Sequence, residues 1–442
     1  MAAAVVYYSL VNWLTDITIF VIGSIIFVFV GSALAKVVLY RSLDASYREP
    51  QIRGCRKLGL QTVSNLHDEH DERYRRGISN PESNPTGSQW KVKSLWIYPV
   101  KSCRGVELAK CTVVSTGMEY DRQFTFAQLR SPFPISLEKS KDERGAHYWD
   151  FITQRSFPLL AQVKTEIWIP DPSLPNYSAS EPDVQSGGVV ILKYPYAEEG
   201  WKGVLLQLAA MTGGGQRLAK HVKIPFNPTP SEIKKAGYKM ESVKIWKDWP
   251  VALNMESIVP PELKYFLGVQ NPLALFRMDT NQFREVYRCA PRKEELGYQP
   301  LVGFADAYPL HLLNLASVHD VAAKLEKGAP KLSALRFRPN IIVTGPQAYA
   351  EDAWKRIKIG EDEYYVSCRT ARCKLPNVNP ITGDKHPSEP DKTLRSFRCI
   401  DEGAGNNACL GMQMVPALER SVIKVGDKIK VLDTGEHYYM KQ

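Results

Sequence analysis

The sequence predicts a mostly β protein that also carries helices, an α+β chain that begins with an apolar segment. Short apolar stretches rich in β-branched residues recur along the chain, whereas only one stretch has clear helical periodicity. A run of 18 residues without a charge extends from Ile17 to Leu34. With 442 residues, 44% of them apolar and 24% charged, the chain is long enough for two or three globular domains.

The apolar run is predicted to be a transmembrane helix. Eighteen helical residues extend about 27 Å, close to the thickness of a bilayer core. No Lys or Arg precedes the run, which disfavours a cleaved signal peptide, and a buried core helix is the other alternative. Basic residues outnumber acidic ones between Lys36 and Lys57, so the positive-inside rule predicts a cytosol-facing body. We therefore expect a membrane anchor over 1–40 and a polar linker over 41–90.

Composition leaves several classes of partner open. The formal charge of +10 suits nucleic acid, a membrane surface or anionic ligands. The eight cysteines are dispersed without a CxxC pair, which is typical of free thiols in a reducing compartment. The chain has no GxGxxG fingerprint for a nicotinamide or flavin cofactor and no P-loop, because Gly213–Gly215 is not followed by Lys-Ser or Lys-Thr.

The β-strands are predicted from short apolar runs, and the turn Gly426-Asp427 predicts a hairpin within the last of them. One helix is predicted over 317–327, with a capping box formed by Ser317 and Asp320 and with Gly328 at its end. The runs predicted to be strands are 92–100, 188–194, 203–211, 340–345 and 422–432.

Cys373 is the cysteine with the strongest signal for chemistry. It lies between Arg372 and Lys374, and neighbouring cations lower the pKa of a thiol towards neutrality. The prolines and the Thr382-Gly383 turn that follow restrict the backbone. A thiolate is a nucleophile and a metal ligand, but a small buried hydrophobic residue is the alternative. Zinc is disfavoured, because Cys368 and Cys373 have no second Cys or His pair nearby to complete a tetrahedral site.

Cations, hydroxyls and amides also stand at three predicted strand ends. Such groups bind phosphates and other anions through charge-assisted hydrogen bonds. Sequence spacing leaves open whether the three strand ends converge. The side chains are Lys101, Ser102 and Arg104 after the first strand, Arg122 before another apolar stretch, and Arg338 and Asn340 before a third.

Six short segments resemble the MOSC-domain family in their order and spacing, and within it the mitochondrial amidoxime-reducing components, which are molybdenum enzymes of eukaryotes. The resemblance extends over most of 91–431. The segments are LWIYPVKSCRGVEL (95–108), DRQF (121–124), FRPNIIV (337–343), AEDAW (350–354), RCKLPNVNPITG (372–383) and IKVGD (423–427).

The resemblance implies a MOSC N-terminal β-barrel-like domain over 91–271 and a MOSC β-barrel domain over 272–442, with a molybdenum cofactor bound between them. By motif match Cys373 is the molybdenum ligand and the catalytic residue. Asn379 stands where animal members often have Asp. The residues implied to bind the cofactor are Lys101, Ser102, Arg122, Asp306, Arg338, Asn340 and Arg372.

The function implied is reduction of N-hydroxylated small molecules, such as amidoximes and hydroxylamines, with electrons from a cytochrome b5-type donor and its NADH-dependent reductase. The implied location is the mitochondrial outer membrane, with the endoplasmic reticulum as the alternative. A molybdenum cofactor carrier or sulfur-handling protein, like part of molybdenum cofactor sulfurase, is the nearest rival. A membrane-anchored scaffold with a basic face is the rival of another class. Nucleic acid is not an expected partner, because RNA-binding interleaving of aromatic and basic residues is missing.

Overall fold

The computed structural model describes residues 13, 15, 17–28, 30–31, 47, 49–78, 89–131, 147–196, 200 and 219–440. The chain forms two compact units. The first comprises 1–50 with 195–221, and the second comprises 51–194 with 222–442. The strand predicted at 203–211 lies outside the described residues.

The N-terminal apolar segment is helical in its described part, over 17–28 and 30–31. Large apolar side chains such as Phe20 and Phe27 are exposed there. Within the described ranges, no helix combines the length and the apolar character needed to cross a membrane. The predicted span from Ile17 to Leu34 is therefore not confirmed, and its residues 29 and 32–34 lie outside the described ranges.

Strands make up most of the regular structure, as the apolar alternation predicts. The described residues contain 22 of them: β1 Cys55–Leu58, β2 Lys91–Ile97, β3 Val106–Leu108, β4 Lys110–Val114, β5 Gly117–Met118, β6 Phe124–Arg130, β7 Tyr148–Phe151, β8 Lys164–Pro170, β9 Val189–Pro195, β10 Ala219–Pro225, β11 Lys239–Lys244, β12 Val251–Asn254, β13 Leu273–Met278, β14 Arg284–Glu285, β15 Leu301–Val302, β16 Leu310–Asn314, β17 Ile341–Thr344, β18 Trp354–Ile359, β19 Asp362–Ala371, β20 Cys409–Pro416, β21 Arg420–Lys424 and β22 Ile429–Thr434.

Two large β assemblies organise the second unit. A closed barrel has the order β11-β12-β13-β6-β7, and side chains such as Val243, Ala274 and Phe276 form its core. An eight-stranded sheet has the order β22-β18-β19-β20-β16-β17-β2-β3. Its strands pair antiparallel except β16 and β17, which run parallel with Leu312 opposite Ile341. The mostly β prediction and the barrel in the N-terminal region are confirmed.

Strands from the two predicted domains, 91–271 and 272–442, pair with each other. β2 and β3 come early in the chain but extend the eight-stranded sheet, because β2 pairs with β17. β13 lies beyond residue 271 but closes the barrel by pairing with β6 and β12. The second predicted barrel is observed as this eight-stranded sheet. The exchange of strands brings the loop after β2 and the loop before β6 to one place, since Val100 bridges to Phe124.

The hairpin predicted at Gly426-Asp427 is wrong: the turn is present, but β21 pairs with β4 and β22 pairs with β18.

Helices are short and lie between strands. The α-helices are α1 Pro182–Gln185, α2 Pro230–Ala236, α3 Pro261–Leu267, α4 Lys293–Leu296, α5 Leu315–Lys324 and α6 Asp391–Phe397.

The predicted helix at 317–327 is present as α5, but its capping box is wrong. The helix begins at Leu315, and Asn314 caps it by accepting a hydrogen bond from the amide of Ala316. Ser317 instead donates to the carboxylate of Glu351, at 2.6 Å. Glu351 is fully buried and needs donors, which explains why this hydroxyl is not used at the helix end.

The predicted polar linker is integrated into the second unit from residue 51 onwards. β1 pairs with β8, and Leu66 packs in a buried cluster with residues of α5 and β17. The acidic residues of this stretch have partners in the body of the protein: Asp68 binds Lys93 at 2.9 Å, and Glu69 accepts from the amide of Ala334, at 2.9 Å. Its polar composition therefore reflects specific ion pairs and caps.

The cap at Asn314 is the basis of a stability prediction. Replacing Asn314 with Ala removes the helix cap and the hydrogen bonds to Gln347 and Glu351, at 2.8 and 2.9 Å. We expect a loss of about 2–3 kcal/mol in the free energy of unfolding, measured with urea, because a buried carboxylate loses a donor. The exposed Asn406→Ala control should change it by less than about 0.5 kcal/mol. Equal effects of the two substitutions would contradict this account.

Candidate functional site

A cavity of about 710 Å³ in the second unit brings together the residues that the sequence singles out. They come from five separate stretches of the chain, and no local spacing rule predicts that these stretches meet. Whether they bind a cofactor remains a prediction. The eight predicted site residues that line the cavity are Lys101, Ser102, Arg122, Asp306, Arg338, Asn340, Arg372 and Cys373.

Most of these side chains lie next to the ends of strands. Lys101 and Ser102 follow β2, Arg122 precedes β6, and Arg338 lies just before β17. Ser102, Arg122 and Arg338 adopt left-handed backbone conformations, with φ of 67°, 46° and 52°. This region is uncommon for residues other than glycine and is tolerated where the surrounding structure fixes the chain. Backbone hydrogen bonds fix the chain at these positions. The amide of Lys101 donates to the carbonyl of Phe124 at 2.8 Å, and the amide of Arg122 donates to the carbonyl of Tyr98 at 2.9 Å.

Two guanidinium groups lie against one aromatic ring at the cavity wall. The Cζ atoms of Arg338 and Arg122 lie 4.1 and 4.6 Å from the centre of the Tyr98 ring. Burial lowers the pKa of Arg338 to about 10. Burial also opposes the charge of Arg122, but the adjacent carboxylate of Asp121 outweighs it and raises the pKa of Arg122. Both side chains are therefore cationic at neutral pH.

Asn340 ties the strands of this region together. Its side-chain oxygen accepts from Arg122 Nη1 at 3.1 Å and from the amide of His311 at 3.2 Å. Its amide nitrogen donates to the carbonyl of Trp96, at 3.1 Å. The Asn340 amide is thus engaged within the protein, and its geometry is that of a residue that positions Arg122.

Lys101 is buried in the cavity wall. Its ammonium group donates to the carbonyl of Phe304 at 2.8 Å and to Asp306 Oδ1 at 2.5 Å. Trp246 Nε1 donates to the same oxygen at 3.1 Å. Burial lowers the pKa of Lys101 to about 8, although the charge of Asp306 opposes this shift. The Asp306 side chain is 63% exposed, so its carboxylate stays open to a ligand.

Arg372 and Cys373 follow directly after β19. The backbone amide of Arg372 donates to Ala408 at 2.7 Å, and its Nη2 donates to the carbonyl of Phe337 at 3.1 Å. These bonds hold the backbone that carries Cys373, whose thiol is free and exposed. Burial as a small hydrophobic residue, the alternative for Cys373, is therefore wrong.

Several buried polar atoms of the cavity-lining side chains have no hydrogen-bond partner within the described ranges. Each unpaired buried donor costs about 1–3 kcal/mol, and a ligand rich in acceptor oxygens would reduce that cost. Burial, together with the charges of Arg372 and Arg122, lowers the pKa of His311 well below its usual range, so its imidazole is neutral. The unpaired atoms are Arg338 Nη2, Arg372 Nε, His311 Nε2 and Thr370 Oγ1.

Sequence reasoning missed several residues of the cavity. Seven Lys and Arg residues line it against three Asp and Glu residues, and Arg155, Lys247 and Arg284 are the cations that no motif indicated. Arg155 stacks on the Trp246 ring, 4.7 Å from its centre. His311 gave no signal in the sequence, because it lies within a buried apolar strand. In the fold it lies against Gly411, where a Cβ would meet His311 Nε2 at 2.6 Å.

Asn379 does not line the cavity. Its side-chain oxygen accepts from the amides of Ile381 and Thr382, at 2.8 and 3.2 Å. It therefore organises the turn after Cys373, a role that an Asp would fill equally well.

The chain is a two-part β protein, made of a barrel and a large sheet. Strand ends of both line a cation-rich cavity that carries the exposed thiol of Cys373. Residues 89–189 match the MOSC N-terminal beta barrel domain, and residues 300–430 match the MOSC domain. The chain belongs to the MOSC-domain family.

Curated relatives agree with this assignment. Mitochondrial amidoxime-reducing component 1 of Homo sapiens is 25% identical over 410 residues, which cover 91% of this chain and 98% of the human protein. The protein of the same name from Mus musculus is 26% identical and covers 77% of this chain and 82% of its own length. Molybdenum cofactor sulfurase of Arabidopsis thaliana is 22% identical over 72% of this chain, but this match spans 32% of the sulfurase.

The Lys101 ammonium leads to a pH prediction. Its pKa of about 8 means that it carries its charge below this pH and loses it above, so we expect the affinity of the cavity for sulfate to fall as the pH rises through about 8. Sulfate keeps its own charge throughout. Calorimetric titration of the full chain from about pH 6.5 to about pH 9.5 should show at least a fivefold loss, roughly the value of one charge pair near 4 Å.

The conservative variant Lys101→Arg is the matched control, because a guanidinium remains charged over this range. Its sulfate affinity should stay nearly constant with pH. The same fall in both proteins would assign the titration to a group other than Lys101. An absence of sulfate binding at any pH would show that the cavity is no anion site.

Proposed function

We propose that this protein is a molybdenum-cofactor-dependent reductase of N-hydroxylated compounds, such as amidoximes and hydroxylamines. One observation carries the proposal: the free, exposed thiol of Cys373 lies at a cavity in which cations outnumber carboxylates. Full-length similarity to proteins named amidoxime-reducing components supports it.

The residues present fit such a cofactor. A thiolate is a soft ligand suited to a metal held by other sulfurs. A pterin dithiolene with a phosphate is anionic and rich in acceptor atoms, and it needs the compensating positive charge that Arg338 and Arg372 provide. The unpaired Arg338 Nη2 and Arg372 Nε are buried donors that lack an acceptor among the described residues.

In this proposal each cavity side chain has a role that follows from its position. Cys373 would hold the metal, with its backbone fixed by the Arg372 hydrogen bonds to Ala408 and Phe337. Lys101, Ser102 and the stacked pair of Arg122 and Arg338 would hold the phosphate and ring system. The Asp306 carboxylate would accept from ring N–H groups, while Lys101 fixes its orientation. The bound cofactor would supply the two-electron chemistry that removes oxygen from an N–O bond.

Electrons must come from a partner in this proposal, because the sequence has no nicotinamide or flavin fingerprint. We propose a cytochrome b5-type donor, reduced by its NADH-dependent reductase. The net positive charge would steer an acidic donor towards this protein. The names of the relatives favour a mitochondrial location, and the apolar segment at 17–34 favours attachment to the outer membrane, with the cavity facing the cytosol.

A second function, that of a cofactor carrier or sulfur-handling protein, is favoured by the match to molybdenum cofactor sulfurase over 72% of this chain. In that case Cys373 would pass on sulfur or hold the cofactor without turnover. Protein that retains molybdenum but reduces no amidoxime would support this alternative over the reductase.

The first test changes the thiol. Cys373→Ser should lower amidoxime reduction more than hundredfold, about the upper limit of effects seen for residues outside the metal shell. The melting temperature should stay near that of the parent, since the side chain is exposed. Activity is measured by reduction of benzamidoxime with a chemically reduced dye as electron source, which removes the need for a natural donor.

Cys399→Ser is the matched control, because this thiol is also free and exposed but does not line the cavity. It should retain full activity. Survival of activity in Cys373→Ser would show that this sulfur is not the ligand.

The second test concerns cofactor retention. Lys101→Met and Arg338→Ala should each lower the molybdenum per protein, measured by mass spectrometry of the metal, about fivefold or more, because each removes a buried cation from an anionic ligand. The exposed Lys331→Ala should have no effect. Parent-like molybdenum in both cavity variants, with unchanged thermal stability, would exclude these cations from cofactor binding.

A further inference from the structure

A second pair of thiols lies beside the cavity wall. Cys368 is fully buried on β19, whereas Cys289 is partly buried in the loop after β14. The Cys368 thiol donates a hydrogen bond to the sulfur of Cys289. Both pack in one apolar cluster with Tyr308 and Val415. The two side chains are thus neighbours within that cluster.

The environment of Cys289 supplies donors to its sulfur. The amide of Met440 donates to Cys289 Sγ at 3.2 Å. The Tyr308 hydroxyl donates to the carbonyl of Arg288 at 2.6 Å, and its ring packs in the same cluster as both cysteines. Cys289 has a left-handed backbone, with φ of 54°, which is uncommon for a residue with a side chain. In the thiol form, Cys289 donates to the carbonyl of Tyr438, at 3.4 Å.

The contact makes the two sulfurs chemically different. The hydrogen bond from Cys368 lowers the pKa of Cys289 to about 6, with help from the Met440 amide and against the effects of burial and of Asp401. The same contact, together with burial, raises the pKa of Cys368 well above its usual range. At neutral pH one member is a thiolate and the other a thiol, which is the arrangement of an attacking and a resolving cysteine.

We propose that Cys289 is a peroxide-reactive thiol and that Cys368 is its resolving partner. The Cys289 thiolate attacks a hydroperoxide, so that an S–O bond forms, the O–O bond breaks, and hydroxide or alkoxide leaves and takes a proton. The Cys368 sulfur then attacks the sulfenic acid, so that an S–S bond forms, the S–O bond breaks and water leaves. The two sulfurs lose two electrons, and the peroxide is reduced.

Two aromatic side chains connect this pair of cysteines to the cavity. Tyr308 and Tyr439 both pack in the cluster that contains the two cysteines, and both also line the cavity. Tyr439 is next to Met440 in the chain. In the disulfide, Cys289 no longer offers a thiolate to the Met440 amide, so the 438–440 segment loses one of its attachments. The bond from the Tyr439 amide to Asp401, at 2.8 Å, does not depend on the oxidation state of Cys289. The inference does not rest on which ligand the cavity binds.

The experiment treats the full chain with one equivalent of hydrogen peroxide and maps the thiols by mass spectrometry. Trypsin places Cys289 on peptide 289–292 and Cys368 on peptide 359–369, so a disulfide between them gives one linked species that lacks two hydrogen atoms. We expect this species to dominate and to disappear with dithiothreitol. Iodoacetamide labelling of Cys289 should have a midpoint near pH 6, well below the value of about 8.5 for an ordinary free thiol.

Cys368→Ala separates a chemical role from a structural one. Without the donor, the labelling midpoint of Cys289 should rise by one pH unit or more towards about 8.5. Peroxide should then give a sulfenic acid that dimedone traps, because no resolving thiol remains. Cys399→Ser should leave both the midpoint and the linked species unchanged.

Two results would overturn the proposal. One is the absence of a 289–368 linkage in oxidised parent protein, whatever other thiols react. The other is an ordinary labelling midpoint for Cys289 that Cys368→Ala does not move. The connection to the cavity has its own measurement: the sulfate affinity of the oxidised chain should differ from that of the reduced chain and recover with dithiothreitol. Equal affinities would restrict the pair to local thiol chemistry.

Discussion

Arg122 and Arg338 both hold their guanidinium groups against the ring of Tyr98, and these buried contacts are the constraint on which the cavity depends. Two like charges in a buried wall repel each other and lose water, so they need local compensation. Asp121 supplies it: its carboxylate binds Arg122 and also accepts from the amide of Tyr98, at 2.7 Å. The same set of contacts fixes the loops before β6, after β2 and before β17.

Once those loops are fixed, the positive character of the cavity follows. Lys101 is held between the Phe304 carbonyl and Asp306, and Arg372 is held by backbone carbonyls that do not neutralise it. Preorganised cations of this kind stabilise an anionic ligand without having to reorganise when it binds. Their cost is visible in the donors left unpaired among the described residues. A ligand with acceptor oxygens would lower this cost.

The free cysteines differ in exposure and in thiol pKa because their surroundings in the fold differ. Cys373 is exposed at the cavity and follows a strand end whose backbone is fixed. Burial raises the pKa of Cys103 to about 12, which makes that thiol an inert part of the core. Cys289 accepts hydrogen bonds that stabilise its thiolate, whereas its neighbour Cys368 supplies one and stays protonated. Position within the fold, and not residue type, decides which thiols react.

The sequence by itself determined the mostly β class, the strand positions at β2, β9, β17 and β21–β22, the helix α5 and the segments that carry the family resemblance, because apolar runs and short motifs depend on near neighbours in the chain. It also singled out Cys373 and its flanking cations. Only the tertiary structure decided that β2 joins the far sheet, that 51–78 packs as part of the body, and that Arg284, His311 and Cys289 belong beside the site. Contacts between residues a hundred or more positions apart depend on strand pairing and burial. The spacing of residues along the sequence does not determine either of these.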